Sequence, residues 1–280
     1  MAPGPDPASP LPRIRPYREK DLAVVYDICV RTAAAGRDAR GRYRSDDLMG
    51  DLFAGPYLFL APELAFVLDD GRRPAGYVLG TADTAAFARA YRERWIPRLA
   101  GRYLVPATPA VSPDDQMLAL HYRPERLLWP GLRQYPAHLH IDLLPAVQRA
   151  GHGRRLTETF FAAAARAGAA GVHVCVVAEN VQAIGFYRHL GFEPAEPSEP
   201  AEPSGVVYLG RALDRAGRGS GIRTDRYGLS LRSTGSPGSA SGASTAGWDY
   251  AAARFFALRC RRSGCAAGGR AAQAAAGEVR

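Results

Sequence analysis

The stretch that most constrains this chain covers residues 138–153, HLHIDLLPAVQRAGHG. It alternates polar and apolar residues through Leu143, turns at Leu144-Pro145, and closes on Gln148-x-x-Gly151-x-Gly153. Residues 154–167 follow as a helix, with Leu156, Phe160, Ala163 and Ala167 at 3.6-residue spacing. A strand feeding a glycine loop and then a helix start is a layout suited to holding an anion. Amides at a helix N-terminus lack an intrahelical acceptor and carry partial positive charge, and glycine lets that main chain come close. Such a strand needs a sheet around it, with the helix folded back on top.

The flanking segments supply that sheet. Residues 13–17 read as a first strand, and Asp21 is expected to cap a helix carrying Leu22, Val25, Ile28 and Cys29 on one face. RDARGRYR at 37–44 is a polar loop, and Ser45 begins a second helix through Leu52. Residues 64–68 and 75–79 are strands joined through Asp70-Gly71, a hairpin turn. Residues 83–99 are helical, and 101–136 form a long loop with Tyr103, Tyr122, Trp129 and Tyr135, of a length that usually carries function. Residues 172–177 are continuously apolar and β-branched, a strand covered on both faces. A helix over 180–190 ends at Gly191, Phe192 starts a strand, and a Glu/Pro/Ser loop at 194–204 precedes a last strand at 206–209. Two strand–helix–strand crossovers beside an early hairpin predict the fold class: α/β, a mixed central sheet with flanking helices.

Charge divides the chain. Residues 211–280 hold 12 Arg against 4 acidic residues, which leaves 24 basic and 23 acidic residues in 1–210. The body is therefore near neutral, giving specific nucleic-acid binding little support, while the tail could meet any polyanion. The tail is low in complexity around SLRSTGSPGSASGASTAG and reads as a disordered extension, with docking through Phe255, Phe256 and Leu258 as the other reading. Residues 1–11 are Pro-rich and read as disordered. The N-terminal prolines do not suit a signal peptide, and no apolar run approaches the ~20 residues of a membrane span. Cys29, Cys175, Cys260 and Cys265 form no CxxC pair, and Cys175 is expected to be buried. The expectation is a cytoplasmic protein with no disulfide framework.

Two motifs in order carry a resemblance. Gln148-Arg149-Ala150-Gly151-His152-Gly153 matches the Q/R-x-x-G-x-G/A loop of the GNAT superfamily of N-acyltransferases. Asn180-x-x-Ala183-x-x-Phe186-Tyr187-x-x-x-Gly191-Phe192 matches that family's second cofactor motif. Residues 13–210 thus resemble a GNAT domain. HLHID–LLP with its long preceding insert is also similar to the acetyltransferase-like domains of O-GlcNAcase and of free-standing bacterial relatives. The resemblance implies a domain over 12–210 with a splayed strand pair opened at a β-bulge. It implies acetyl-CoA as co-substrate, no metal, and direct acetyl transfer to a primary amine in a ternary complex. The acceptor would be a small molecule or a peptide; no membrane partner is implied, and a homodimer is compatible.

Carried onto this chain, the resemblance gives Leu143 and Leu144 main-chain contacts to the pantetheine and acyl carbonyl. It gives Gln148, Arg149, Ala150, Gly151, His152, Gly153 and Arg154 the pyrophosphate, Asn180 the pantetheine, and Tyr187 a place near sulfur as general acid. Acyl transfer to an amine needs a proton acceptor, since a lysine-like amine has a pKa near ~10.4, and a departing thiolate (~8.5) gains from an acid. Alternation puts His138, His140 and Asp142 on one strand face. Asp142 is the preferred acceptor and His140 the second, with a polar face bonded to neighbouring loops as the competing reading. Tyr187 shares its helical spacing with Ile184 and Leu190 and reads equally as core, and Asn180 reads equally as a helix cap. His138-x-His140-x-Asp142 also opens the metallo-β-lactamase signature, but Leu143 stands where that family has a second His, and His121, His152, His173 and His189 make no ligand pattern. A CoA-binding module without turnover is the alternative function. For the acceptor, Asp38, Asp46, Asp47, Asp114 and Asp115 would suit a cation, whereas Arg37, Arg40, Arg42 and Arg44 would suit an anion.

Overall fold

Continuously apolar or buried residues along the central strands give the sheet two apolar faces, and helices cover both. The computed structural model describes residues 11–106, 108–195 and 205–214. In order, the elements are β1 (Arg13–Pro16), α1 (Leu22–Thr32), α2 (Asp47–Phe53), α3 (Gly55–Leu60), β2 (Phe66–Asp69), β3 (Pro74–Thr81) and α4 (Thr84–Ala90). They continue with α5 (Ile96–Leu99), α6 (Pro113–His121), β4 (Ala137–Leu143), α7 (His152–Arg166), β5 (Gly171–Val177), α8 (Val181–His189), β6 (Glu193–Pro194) and β7 (Val206–Ala212). The seven strands form one mixed sheet in the order β1-β2-β3-β4-β5-β7-β6. Every neighbouring pair is antiparallel except β4–β5, which the α7 crossover makes parallel.

The predicted hairpin is present: Asp69 Oδ1 accepts the Gly71 amide at 2.9 Å, and Gly71 supplies a φ of +96°. One face packs Leu68, Val78, Leu139 and Val174 against Leu156 and Phe160 of α7 and Tyr187 of α8. The other packs Val67, Tyr77 and Leu79 against Val25 and Ile28 of α1 and Tyr57 of α3. Each fully buried Leu or Phe contributes about 2 kcal/mol. Gly80 lets α7 close on the sheet, since a Cβ there would lie 2.2 Å from His138 O and 2.5 Å from the Phe160 ring.

Several expectations need correction. Asp21 does not cap α1; it is buried and takes Arg15 at 2.6 Å, while Arg15 Nε also reaches Asp69 at 2.8 Å. Both carboxyls are held below their ordinary range by that guanidinium. Residues 83–99 are interrupted by a π turn at Tyr91–Trp95, just before Pro97, which cannot donate to the ladder. The segment 101–136 is no plain loop: Ser112 and Asp115 form a reciprocal capping box, and Pro113 opens the nine-residue α6. Ala167 lies exposed at the α7 C-cap, and Phe161 and Ala164 join the core instead. At the far end β7 runs on to Ala212, and Leu213 is buried with its amide on Ala170 O. Expectations for residues 1–10, 196–204 and 215–280, including Cys260 and Cys265, lie outside the described residues. No helix among the described residues is long and apolar enough to cross a membrane.

Candidate active site

The parallel pair at the centre of the sheet comes apart. β4 and β5 are in register only at Ala137↔Val172 and His138↔His173, although β4 runs on to Leu143 and β5 to Val177. On its other edge β4 stays paired with β3 from Thr81↔His138 to Gly76↔Leu143 without a shift. The splay is therefore made without the β-bulge expected in β4; the one irregularity recorded in the described ladders lies between Leu68 and Asp69. The Leu144 amide donates to Ala75 O at 2.9 Å, on the β3 side. Strand alternation then turns the amides of Ile141 and Leu143 toward the gap. The Leu144 carbonyl accepts from Val147 N and keeps a second lone pair. Leu143, not Leu144, is the main-chain donor at the opening.

Beyond β4 the chain forms the glycine loop. Arg149 and Gly151 both take positive φ, +61° and +78°, and Gly151 is the N-cap of α7. The amides from Arg149 through Arg154 (Ala150, Gly151, His152 and Gly153 between them) find no acceptor among the described residues, and the first to do so is Arg155, on Gly151 O at 3.2 Å. His152 Nδ1 is also sealed from solvent without a partner among the described residues. Gly153 is backed by Phe186, whose ring would lie 3.1 Å from a Cβ. Gln148 holds the turn instead of facing it, with Nε2 donating to Leu143 O at 2.8 Å. Arg154 leans on Glu158 at 3.7 Å and on His189 O at 3.4 Å. A bend of unpaired amides at a helix head is an anion site.

A cavity of about 380 Å³ lies at the splay, and Thr32, Met49, Phe53, His140, Asp142 and Asn180 are among the residues that line it. Asn180 is a helix cap, accepting Ala183 N–H through Oδ1 at 3.1 Å, and it faces the cavity as well. Cys175, expected to be buried, opens onto this cavity on the same strand side as His173. The continuous apolar run hides this, because only the departure of β4 uncovers the residue. Surrounding protein pushes its thiol up to about 11. Of the loop arginines, Arg42 lines the cavity, while Arg40 pairs with Asp38 at 2.6 Å. Asp38, Asp46, Asp47, Asp114 and Asp115 do not line it.

His138, His140 and Asp142 do share one face. Asp142 Oδ2 accepts from Tyr77 OH at 2.5 Å, and burial raises its carboxyl above the ordinary range. Burial lowers His140 to about 4, so its ring is neutral at pH 7. Tyr57 OH lies between His138 Nε2 at 2.7 Å and His140 Nε2 at 3.1 Å, and Thr84 Oγ1 meets His138 Nδ1 at 2.7 Å. Both ring nitrogens of His138 are thus engaged by hydroxyls. Among the described residues no group of three or more His, Cys, Asp or Glu could hold a metal ion. Tyr187 is 7% exposed, its ring packed on Phe186 and Phe192, and its hydroxyl makes no hydrogen bond among the described residues. Burial first, and the Asp142 charge second, raise that hydroxyl, so it keeps its proton. Tyr57, Tyr77 and Thr84 are the site residues that sequence reading missed; in GPYLFL, Tyr57 looks like any apolar aromatic.

Comparison with known proteins agrees with the fold. A family model described as an acetyltransferase (GNAT) domain matches residues 127–194. Protein O-GlcNAcase of Rattus norvegicus and of Mus musculus are each 29% identical over 210 residues, which is 74% of this chain. The chain spans only 23% of the length of those relatives. The crystal structure of SsHAT is 52% identical, with 72% of this chain and 98% of that one covered and a TM-score of 0.68.

Proposed function

The chain belongs to the GNAT superfamily, and from that membership we propose that it transfers the acetyl group of acetyl-CoA directly to a primary amine within a ternary complex. The observation that carries this reading is the bend of acceptor-less amides from Arg149 to Arg154, set beside the opening where β4 leaves β5. Acetyl-CoA supplies the acetyl group as a thioester. Its diphosphate would rest on that bend, with Gly151 giving the turn and Gly153 the close approach. Asn180 has Nδ2 left to meet the pantetheine, since only Oδ1 serves the cap. The Leu143 amide, turned to the gap, is the donor for the carbonyl oxygen on which charge grows.

The amine would enter the cavity past Thr32, Met49 and Phe53, whose largely apolar walls strip water from it. It must lose a proton before or during attack, and Asp142 and His140 face that space. Tyr187, held protonated, would hydrogen-bond the departing sulfur. Direct transfer is favoured over an acyl-enzyme on Cys175, because a thiol at about 11 holds almost no thiolate at neutral pH. Calorimetry with acetyl-CoA, followed by thiol release over amino acids, aminoglycosides, polyamines and peptide lysines, tests the reading. Heat on binding and thiol release with at least one amine class are expected. No heat would remove the cofactor site, and binding without release over the whole panel would leave a non-catalytic CoA-binding module.

A further inference from the structure

Resting on that proposed function, we propose that Thr84, His138 and Tyr57 are positioning residues that fix His140 as the proton acceptor of the transfer, acting through Nδ1. Hydroxyl and imidazole valences set the direction of every bond in this chain. Thr84 Oγ1 lies 2.7 Å from Pro136 O, and a carbonyl cannot donate, so the hydroxyl hydrogen is spent there. The Thr84 amide reaches the same carbonyl at 2.8 Å, which anchors the residue twice. Thr84 Oγ1 must then accept from His138 Nδ1 at 2.7 Å, so that nitrogen carries hydrogen.

A neutral imidazole has one N–H. His138 Nε2 is therefore bare and accepts the Tyr57 hydrogen at 2.7 Å. With its one hydrogen committed, the Tyr57 oxygen can only accept from His140 Nε2 at 3.1 Å. His140 consequently carries hydrogen on Nε2 and a lone pair on Nδ1. Nδ1 has no partner among the described residues, it is not among their polar atoms sealed from solvent, and the ring lines the cavity. Asp142, two residues on along the same face, has Oδ2 committed to Tyr77. The rings are held by packing as well: Tyr57 stacks on Phe87 at 4.5 Å and stands edge-on to His138.

The sharpest consequence is that two histidines two residues apart hold opposite tautomers. Long-range proton–nitrogen correlation on the full chain with ¹⁵N-histidine reads this directly, with His138→Gln and His140→Gln used for assignment. His138 should be protonated on Nδ1 and His140 on Nε2. Thr84→Val removes the oxygen that sets the direction and should mix the His140 tautomers, and Thr84→Ser should restore them. With the best amine of the thiol-release panel, Thr84→Val should lower kcat in proportion to the share of His140 that leaves the Nε2–H tautomer, about twofold for an even mixture, with the KM for acetyl-CoA unchanged and Thr84→Ser active. The same tautomer in both histidines, hydrogen on His140 Nδ1, or full kcat in Thr84→Val with mixed tautomers would overturn the proposal. The tautomer readout needs no cofactor, so it stands apart from calorimetry with acetyl-CoA, which tests the function alone.

Discussion

Acidification should destabilise this protein well above the carboxylate range, and the size of the effect follows from its buried histidines. His121, His140 and His173 are each lowered to about 4, with desolvation the leading cause, and His138 is lowered further by the same cause. In the unfolded chain each titrates near ~6.5. Between these values the unfolded state binds protons that the folded state refuses, so stability is complete above about pH 6.5 and falls as pH drops toward 4. At pH 5.5 each of the three costs roughly 1.4 kcal/mol, about 4 kcal/mol together, against a typical total of 5–15 kcal/mol. Asp142, raised by burial, works in the opposite direction as it gains its proton. Asp21 and Asp69, depressed by Arg15, lose their contribution only below their ordinary range. With a urea m-value near ~2 kcal/mol/M, the midpoint should fall by about 2 M between pH 7.5 and 5.5. Tryptophan fluorescence on the full chain at both pH values measures it. A midpoint that moves by less than about 0.5 M would refute the idea that these rings are folded in their neutral form.

Other expectations are narrower. Gly151→Ala has open space but a φ of +78°, so it should cost about 1 kcal/mol of stability and weaken acetyl-CoA binding in calorimetry; unchanged affinity would take the bend out of the cofactor site. Tyr187→Phe should slow turnover while leaving acetyl-CoA affinity and melting temperature nearly as they were, because the hydroxyl bonds nothing among the described residues. Equal turnover in a chemistry-limited assay would return Tyr187 to the core alone. Cys175 should alkylate slowly at mildly alkaline pH and be protected by acetyl-CoA, while Cys29, sealed and pushed up to about 12, should not react. Peptide mapping by mass spectrometry separates the two, and labelling of Cys175 unaffected by acetyl-CoA would place the acyl group elsewhere.

Where local chemistry decides, the sequence is legible. Asp70-Gly71 announces the hairpin because a positive φ there needs glycine, and the apolar period of 154–167 announces α7 because it must lie on a sheet. The glycine loop is readable for the same reason, since its function is carried by backbone shape and not by a distant partner. α6 escaped because five prolines between 106 and 130 read as breakers, although Pro113 stands at the one helix position that tolerates it. Cys175 escaped because exposure belongs to a pair of strands: its own residues are apolar, and its neighbour β4 leaves.

The chain alone thus determines most strands and helices and the anion-holding bend, which follow from contacts within a few residues, and the parallel crossover, which follows from the order strand–helix–strand. It also names the polar face of β4. What that face does is decided only in three dimensions. Tyr57, Thr84 and His140 are separated by 27 residues or more in the chain, and the direction of their hydrogen bonds depends on which hydroxyl touches which carbonyl. No residue type encodes a tautomer; the packing of α3 and α4 against the sheet does.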